Sequence, residues 1–360
     1  FMIFKKRIDT LRKMMKEKCL YGLYITSPEN VFYLSGFTGF GDGRLFLSRS
    51  GAYIITDSRY TLQVAEQCPD YKLISASCLN IFAIEKVIEE EQISVIGFED
   101  ESISYKDYNA LKIKYTNTDF LGIGNYFSDI RDIKDLFELE YISKACDIAS
   151  KSLKEILNFL KPGAMEIDIA TELEYRMKIN GAQDRAFDTI VASGKRSALP
   201  HGAASHKKIE YGDAVTIDFG CKYNNYCSDM TRTFFVGEPC DEMKKIYDVV
   251  YKAQMAALNG YTDGMTGREL DNISREIISA SGYGPNFGHS LGHGVGIEVH
   301  EGAIIGPRNN NKIQKGTIFS VEPGIYVENL GGVRIEDLVF VGAKGIVNLT
   351  DSFDKKMLVL

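Results

Sequence analysis

Four carboxylates and one histidine in the last third of the chain, Asp218, Asp229, His293, Glu322 and Glu336, constrain its fold more than any other feature. They occur in the segments Thr216-Ile-Asp218-Phe-Gly, Ser228-Asp229-Met-Thr, Gly292-His293-Gly-Val-Gly, Val321-Glu322-Pro-Gly-Ile-Tyr and Val333-Arg334-Ile-Glu336-Asp. Each lies in or beside an apolar run bounded by turn residues, where an unpaired charge is costly to bury. Side chains on a strand alternate faces, so the spacing carries geometry. Asp218 and Asp229 flank Tyr223-Asn224-Asn225, and Glu322 and Glu336 flank Asn329-Leu-Gly331-Gly332. Folding each segment into a hairpin brings its two acids opposite one another. Arg334, two residues before Glu336, projects from the same face.

A single acid of this kind is ordinarily a solvated strand residue. Two matched pairs with a histidine are not, because four converging carboxylates raise each other's pKa and cannot all ionise without cations. Two divalent ions balance the four charges. An oxygen-rich donor set with one imidazole suits manganese, cobalt or zinc, whereas a purely structural zinc favours sulfur and nitrogen. Cys221 and Cys227 lie near these residues but read as core positions.

These segments resemble the metallopeptidase superfamily of aminopeptidase P, Xaa-Pro dipeptidase (prolidase) and methionine aminopeptidase, which has the pita-bread fold, and the resemblance covers nearly the whole chain. It implies that Asp218 holds one metal, that His293 and Glu322 hold the other, and that Asp229 and Glu336 bridge them. It also implies that His201, His289 and His300 line the substrate site, and that the protein is a homodimer. Ser27-Pro-Glu-Asn-Val-Phe-Tyr-Leu-Ser-Gly-Phe and Thr56-Asp57-Ser-Arg59-Tyr60 are similar to the amino-terminal domain of aminopeptidase P and prolidase, a domain that methionine aminopeptidases generally lack. Taken by themselves, Asn30 and Asp57 are ordinary cap or turn residues.

The expected fold class is α/β (α+β). A small mixed α/β domain over residues 1–130 precedes a pseudo-twofold pita-bread catalytic domain over 131–360. In the first, Lys5–Lys18 reads as a helix, and Gly22–Thr26, Leu45–Leu47, Ala52–Thr56 and Val95–Phe98 read as strands. In the second, a helical pattern from Glu138 to Leu160 stops at Lys161-Pro162-Gly163. The order of long helix, Pro162-Gly163 or Asp263-Gly264 turn, second helix and acid-bearing hairpin then occurs twice, offset by about 100 residues.

Only five histidines exist: His201, His206, His289, His293 and His300. His289 and His293 have the spacing of a helical zinc protease, but Gly288, Gly292, Gly294 and Gly296 argue for a loop feeding a strand. Alternation after that loop places Glu298 and His300 on one face, and His206 reads as a surface residue. Bound cations would acidify an attacking water, with Glu322 as general base or proton shuttle and His300 steadying the oxyanion.

Within the family, prolidase-like members often carry Pro-Arg after His-Glu-Gly, whereas here His300-Glu-Gly302 leads into Ala303-Ile304. The sequence therefore favours an Xaa-Pro aminopeptidase acting on peptides with proline second, with Xaa-Pro dipeptidase as the alternative. Metal-free peptide-binding modules share the fold, but they have no need of four converging acids.

Composition agrees with a soluble enzyme: 360 residues, 44% of them hydrophobic, supply substantial cores. A net charge of -7 and a pI near 5.5 argue against nucleic acid or an anionic membrane as partner. No apolar run of about 18 residues is present. The seven cysteines are odd in number and lack Cys-x-x-Cys spacing. This fits reduced thiols, and the expected location is the cytoplasm.

Overall fold

The computed structural model describes residues 2–76 and 81–360. The chain divides between Phe127 and Ser128 into two compact units. Among the described residues, no helix is long and apolar enough to cross a membrane.

The first unit is built on one mixed sheet. Its strands are β1 (Gly22–Ile25), β2 (Arg44–Ser48), β3 (Ala52–Thr56), β4 (Lys72–Ser75), β5 (Val95–Phe98) and β6 (Asp119–Gly122), in the order β4-β3-β2-β1-β5-β6. β1 to β3 form an antiparallel meander, and the outer strands add in parallel through helical crossovers. Phe46, Ile55, Ile96 and Phe98 belong to one buried cluster. Asp57 behaves as expected, capping the short helical turn that follows it. Asn30 does not: its amide donates to the buried Glu99 carboxylate at 2.5 Å, and Ser27 is the helix cap instead.

The second unit repeats one motif. The helix Leu136–Ile156 begins in a capping box between Asp135 and Glu138. The helix Glu166–Ile179 follows. Next come β7 (Asp184–Arg185), β8 (Ile190–Ser193), β9 (Asp213–Phe219), β10 (Cys221–Tyr223), β11 (Tyr226–Cys227) and β12 (Met230–Val236). The helices Asp241–Gly260 and Gly267–Ala280 then restate the pair. They precede β13 (Gly292–His293), β14 (Ile304–Ile305), β15 (Ile318–Val321), β16 (Gly324–Val327), β17 (Gly331–Arg334), β18 (Asp337–Gly342) and β19 (Gly345–Asn348). Gly163 and Gly264 occupy matching turns between the helices, with φ of 90° and 87° that favour glycine.

Each half has its own core. Val215, Ile217 and Phe219 of β9 point into the first helix pair, while Phe319, Val321, Ile325 and Val333 point into the second. The halves meet where the Glu336 amide donates to Thr231 O at 3.1 Å and the Thr233 hydroxyl donates to Arg334 O at 2.9 Å. Behind this seam Asp337 is fully buried and bound by Arg232 at 2.8 Å and Lys355 at 2.8 Å.

Candidate active site

The first hairpin turns on Asn224-Asn225, both with positive φ, as a two-residue turn between paired strands requires. That centre sets Asp218 opposite Thr231, so Asp229 sits diagonally rather than directly across. The expected opposition is thus offset by two residues, because the turn centre lies between the two asparagines and not on Tyr223-Asn224. The acids still share a face, since a shift of two preserves parity. The second hairpin matches expectation: Val321 pairs with Asp337 and Gly324 with Arg334, a register that sets Glu322 across from Glu336.

The two hairpins face one cavity of about 940 Å³, whose walls include Asp218, Asp229, His293, Glu322, Glu336, Arg334, His201, His289 and His300. His206 is exposed and is not among its walls. His293 is on β13, held against β14 in the glycine-rich segment, as the loop-to-strand reading expects. A Cβ on Gly292 would meet Ser320 O at 1.8 Å. This close approach lets the Ser320 hydroxyl accept from the His293 amide at 3.0 Å and donate to Glu322 at 2.9 Å.

One expectation fails. Residues 296–300 form bends rather than a strand, so Glu298 and His300 do not share a face. Glu298 turns to Arg131 at 2.9 Å, whereas His300 enters the cavity with its ring 4.1 Å from that of His293.

Ligating atoms of Asp229, His293 and Glu336 lie within 4.8 Å of one another. His293 Nε2 is 3.3 Å from Glu322 and 3.6 Å from Asp229. Asp218 binds Arg334 through Oδ2 at 2.8 Å, while its Oδ1 is buried with no hydrogen-bond partner. Burial drives the Asp229 and Glu336 carboxyls well above their ordinary range, and neighbouring acids push them further. Asp218 is raised for the same reason, against the opposing charge of Arg334. Burial is the largest influence on Glu322 and would raise it, but the hydrogen bond and charge of His293, with the charges of His289 and Arg334, together outweigh burial and the carboxyl is lowered. Burial disfavours the His293 imidazolium, yet Glu322 overrides it and raises the group to about 9. An orphaned carboxylate oxygen, hard oxygen donors and one imidazole fit divalent cations. Cys221 and Cys227 instead bond Ala145 O and Ile297 O at 3.3 Å each, and burial raises both thiols.

Two cavity contacts escape a reading confined to the acids. Tyr326 accepts from Arg334 Nη1 at 2.8 Å and contacts His289 Nε2 at 3.1 Å. Thr231 donates to Glu336 at 2.6 Å and accepts from Arg334 Nε at 3.1 Å. Parity offered a signal for both: Tyr326 shares its face with Glu322, and Thr231 shares its face with Asp229. Arg275 had no such signal. It pairs with the buried Asp271 at 2.6 Å and donates to His289 O at 2.8 Å, fixing the loop that carries His289.

Comparison with known proteins agrees with this architecture. Residues 140–343 match the model of metallopeptidase family M24, and residues 7–133 match the creatinase/prolidase N-terminal domain. An Xaa-Pro dipeptidase of Pyrococcus furiosus is 42% identical, over 96% of this chain and 98% of its own length. The solved Xaa-Pro dipeptidase of Bacillus anthracis superposes with a TM-score of 0.95 at 40% identity, covering 99% of this chain and 100% of that one. An X-Pro aminopeptidase structure from Thermotoga maritima gives a TM-score of 0.91 at 39% identity, covering 98% and 99%. The fold is that of the pita-bread metallopeptidases. The chain belongs to metallopeptidase family M24 and carries the creatinase/prolidase N-terminal domain.

Proposed function

We propose that this protein is a metal-dependent Xaa-Pro dipeptidase, or prolidase, which hydrolyses the bond between a first residue and a following proline. The observation that carries the reading is the convergence of two acid-bearing hairpins and His293 on a cavity also lined by His201, His289 and His300. The dipeptidase names of the Pyrococcus and Bacillus relatives support this specificity over the aminopeptidase P reading that the sequence favours.

Asp218, Asp229, His293, Glu322 and Glu336 would hold two divalent cations, with manganese the first to test. Bound there, such ions supply Lewis acidity toward the scissile carbonyl and acidify the attacking water. Glu322, lowered below its ordinary range, takes the proton and passes it to the departing proline nitrogen. His300 donates to the oxygen that becomes negative, and His201, exposed at residues 200–203 of the cavity wall, orients the substrate. His289 lines the cavity with its ring nitrogens engaged by Ser290 O and the Tyr326 hydroxyl, which fixes the ring beside the substrate, and Arg334 holds Asp218 in place. An Xaa-Pro bond has no N–H, so recognition falls on the ring. Phe187, Ile190, Val299 and Ile304 offer it an apolar wall. The reading includes a homodimer, which sedimentation would check.

An Xaa-Pro aminopeptidase is the second reading, and one observation favours it. Arg334 is already bound to Asp218, Tyr326, Thr231 and Pro200 O, which leaves it poorly placed to receive a dipeptide carboxylate. Incubating metal-stripped protein with and without manganese, on Ala-Pro and on Ala-Pro-Ala, separates the two. Metal-dependent cleavage of the dipeptide alone supports prolidase, faster cleavage of the tripeptide supports the aminopeptidase, and cleavage of neither refutes both.

A further inference from the structure

The loop that delivers His300 is fastened by an ion cluster that the reaction itself does not use. The Glu301 side chain is 5% exposed and lies between Arg131, itself 5% exposed, and Lys134, which is fully buried. Lys134 Nζ stands 3.0 Å from Glu301 Oε1, and Arg131 reaches both Glu301 and Glu298. The same carboxylate accepts from the Glu298 amide at 3.1 Å. Asp132, between the two cations in sequence, accepts from the Ala303 amide at 3.1 Å. Residues 131–134 therefore grip the loop on both sides of His300.

The glycines of the His293 segment are shaped around this cluster. A Cβ on Gly294 would come within 1.9 Å of Glu301 O, and one on Gly296 within 2.0 Å of Glu301 Oε1. The Glu301 amide donates to Gly294 O at 3.0 Å, and the Gly294 amide returns a bond to Ala303 O. Glu301 thus joins the strand bearing His293 to the turn bearing His300, whose rings stand 4.1 Å apart.

We infer that Glu301, clamped by Arg131 and Lys134, is a positioning residue that sets His300 against the scissile carbonyl. It is not among the cavity walls, and it acts through the ring of its neighbour. A residue that works this way affects turnover more than substrate affinity, because misplacing a reacting group is felt mainly in the transition state.

The inference rests on the reading of His300 as functional, and a double-mutant cycle in the metal-loaded, full-length enzyme separates the two ideas. Glu301→Gln is expected to lower kcat on Ala-Pro by about 10- to 100-fold, with KM changed less than about twofold, the scale at which supporting residues act. Metal uptake measured by calorimetry is expected to be unchanged. In a His300→Ala background, the same substitution is expected to change kcat by less than about twofold. An equal loss in both backgrounds would overturn the inference. Unchanged activity of His300→Ala alone would instead refute the role given to His300. Should Glu301→Gln fail to fold, Arg131→Lys, which keeps the charge but not the fork, goes through the same cycle. Failure of that variant to fold as well would overturn the inference, making the cluster a folding element.

Discussion

Arg334 and Asp218 come from different hairpins, 116 positions apart in sequence, and meet at 2.8 Å in the cavity wall. The same guanidinium bonds Tyr326, Thr231 and Pro200 O, so one side chain fixes the mutual placement of both acid-bearing ribbons.

Arg334→Met should destabilise the protein by about 3–5 kcal/mol, the usual result of stripping one partner from a buried ion pair. Adding Asp218→Asn should cost less than a second full increment, because the pair is then absent together. Denaturant unfolding of the two single variants and the double variant at neutral pH measures both quantities.

Metal uptake should release protons. Asp229 and Glu336 sit well above the ordinary carboxylate range and His293 at about 9, so at pH 7 cations must displace protons to reach their ligands. Calorimetric titration in buffers of different ionisation enthalpy should show net release, reduced in His293→Ala. At a free-ion level of 100 Kd, bound metal should stabilise the fold by about 2.7 kcal/mol per site, and a chelator should abolish hydrolysis.

Stability should fall in acid through Asp337. Burial alone would raise this carboxyl, but the charges of Arg232 and Lys355 outweigh burial and hold it well below its ordinary range. A depressed folded-state pKa gives stability that is complete above the unfolded value of about 3.9 and lost as pH falls through the folded value. Asp337→Asn should therefore be less stable than the parent at pH 7 by about 3–5 kcal/mol. The gap should narrow steadily below about pH 4 in matched unfolding curves.

Tyr326→Phe removes hydrogen bonds to Arg334 and His289 while keeping the ring. A kcat about 10- to 100-fold lower on the preferred Xaa-Pro substrate is expected, with little change in melting temperature. A large drop in melting temperature would mean that the hydroxyl serves the fold rather than the reaction.

Much of this site was legible because strand parity and turn chemistry are local. Asn329, with φ of 62°, centres the second hairpin on the register expected from the sequence. The first is offset by two positions because its turn is centred between Asn224 and Asn225, both with positive φ, rather than between Tyr223 and Asn224. Arg275 and Arg131 were invisible for a different reason. Arg131 meets Glu298 and Glu301 far along the chain, and Arg275, though four residues after Asp271 on one helix, looks in sequence like any surface i,i+4 pair and gives no sign that it also reaches His289 O. The alternation at Glu298 and His300 mimics a strand, but the loop is bent by Gly294 and Gly296 packing onto Glu301.

With the proposed ligand set, the duplicated motif would make metal retention a report on long-range assembly. One hairpin supplies Asp218 and Asp229, and the other Glu322 and Glu336, each resting on a separate core. Neither half holds a complete donor set, so an isolated half, however well folded, has no centre to fill. Cations should leave when the seam between Thr231 and Glu336 parts, before either core melts, which makes their release an early witness of the unit coming apart.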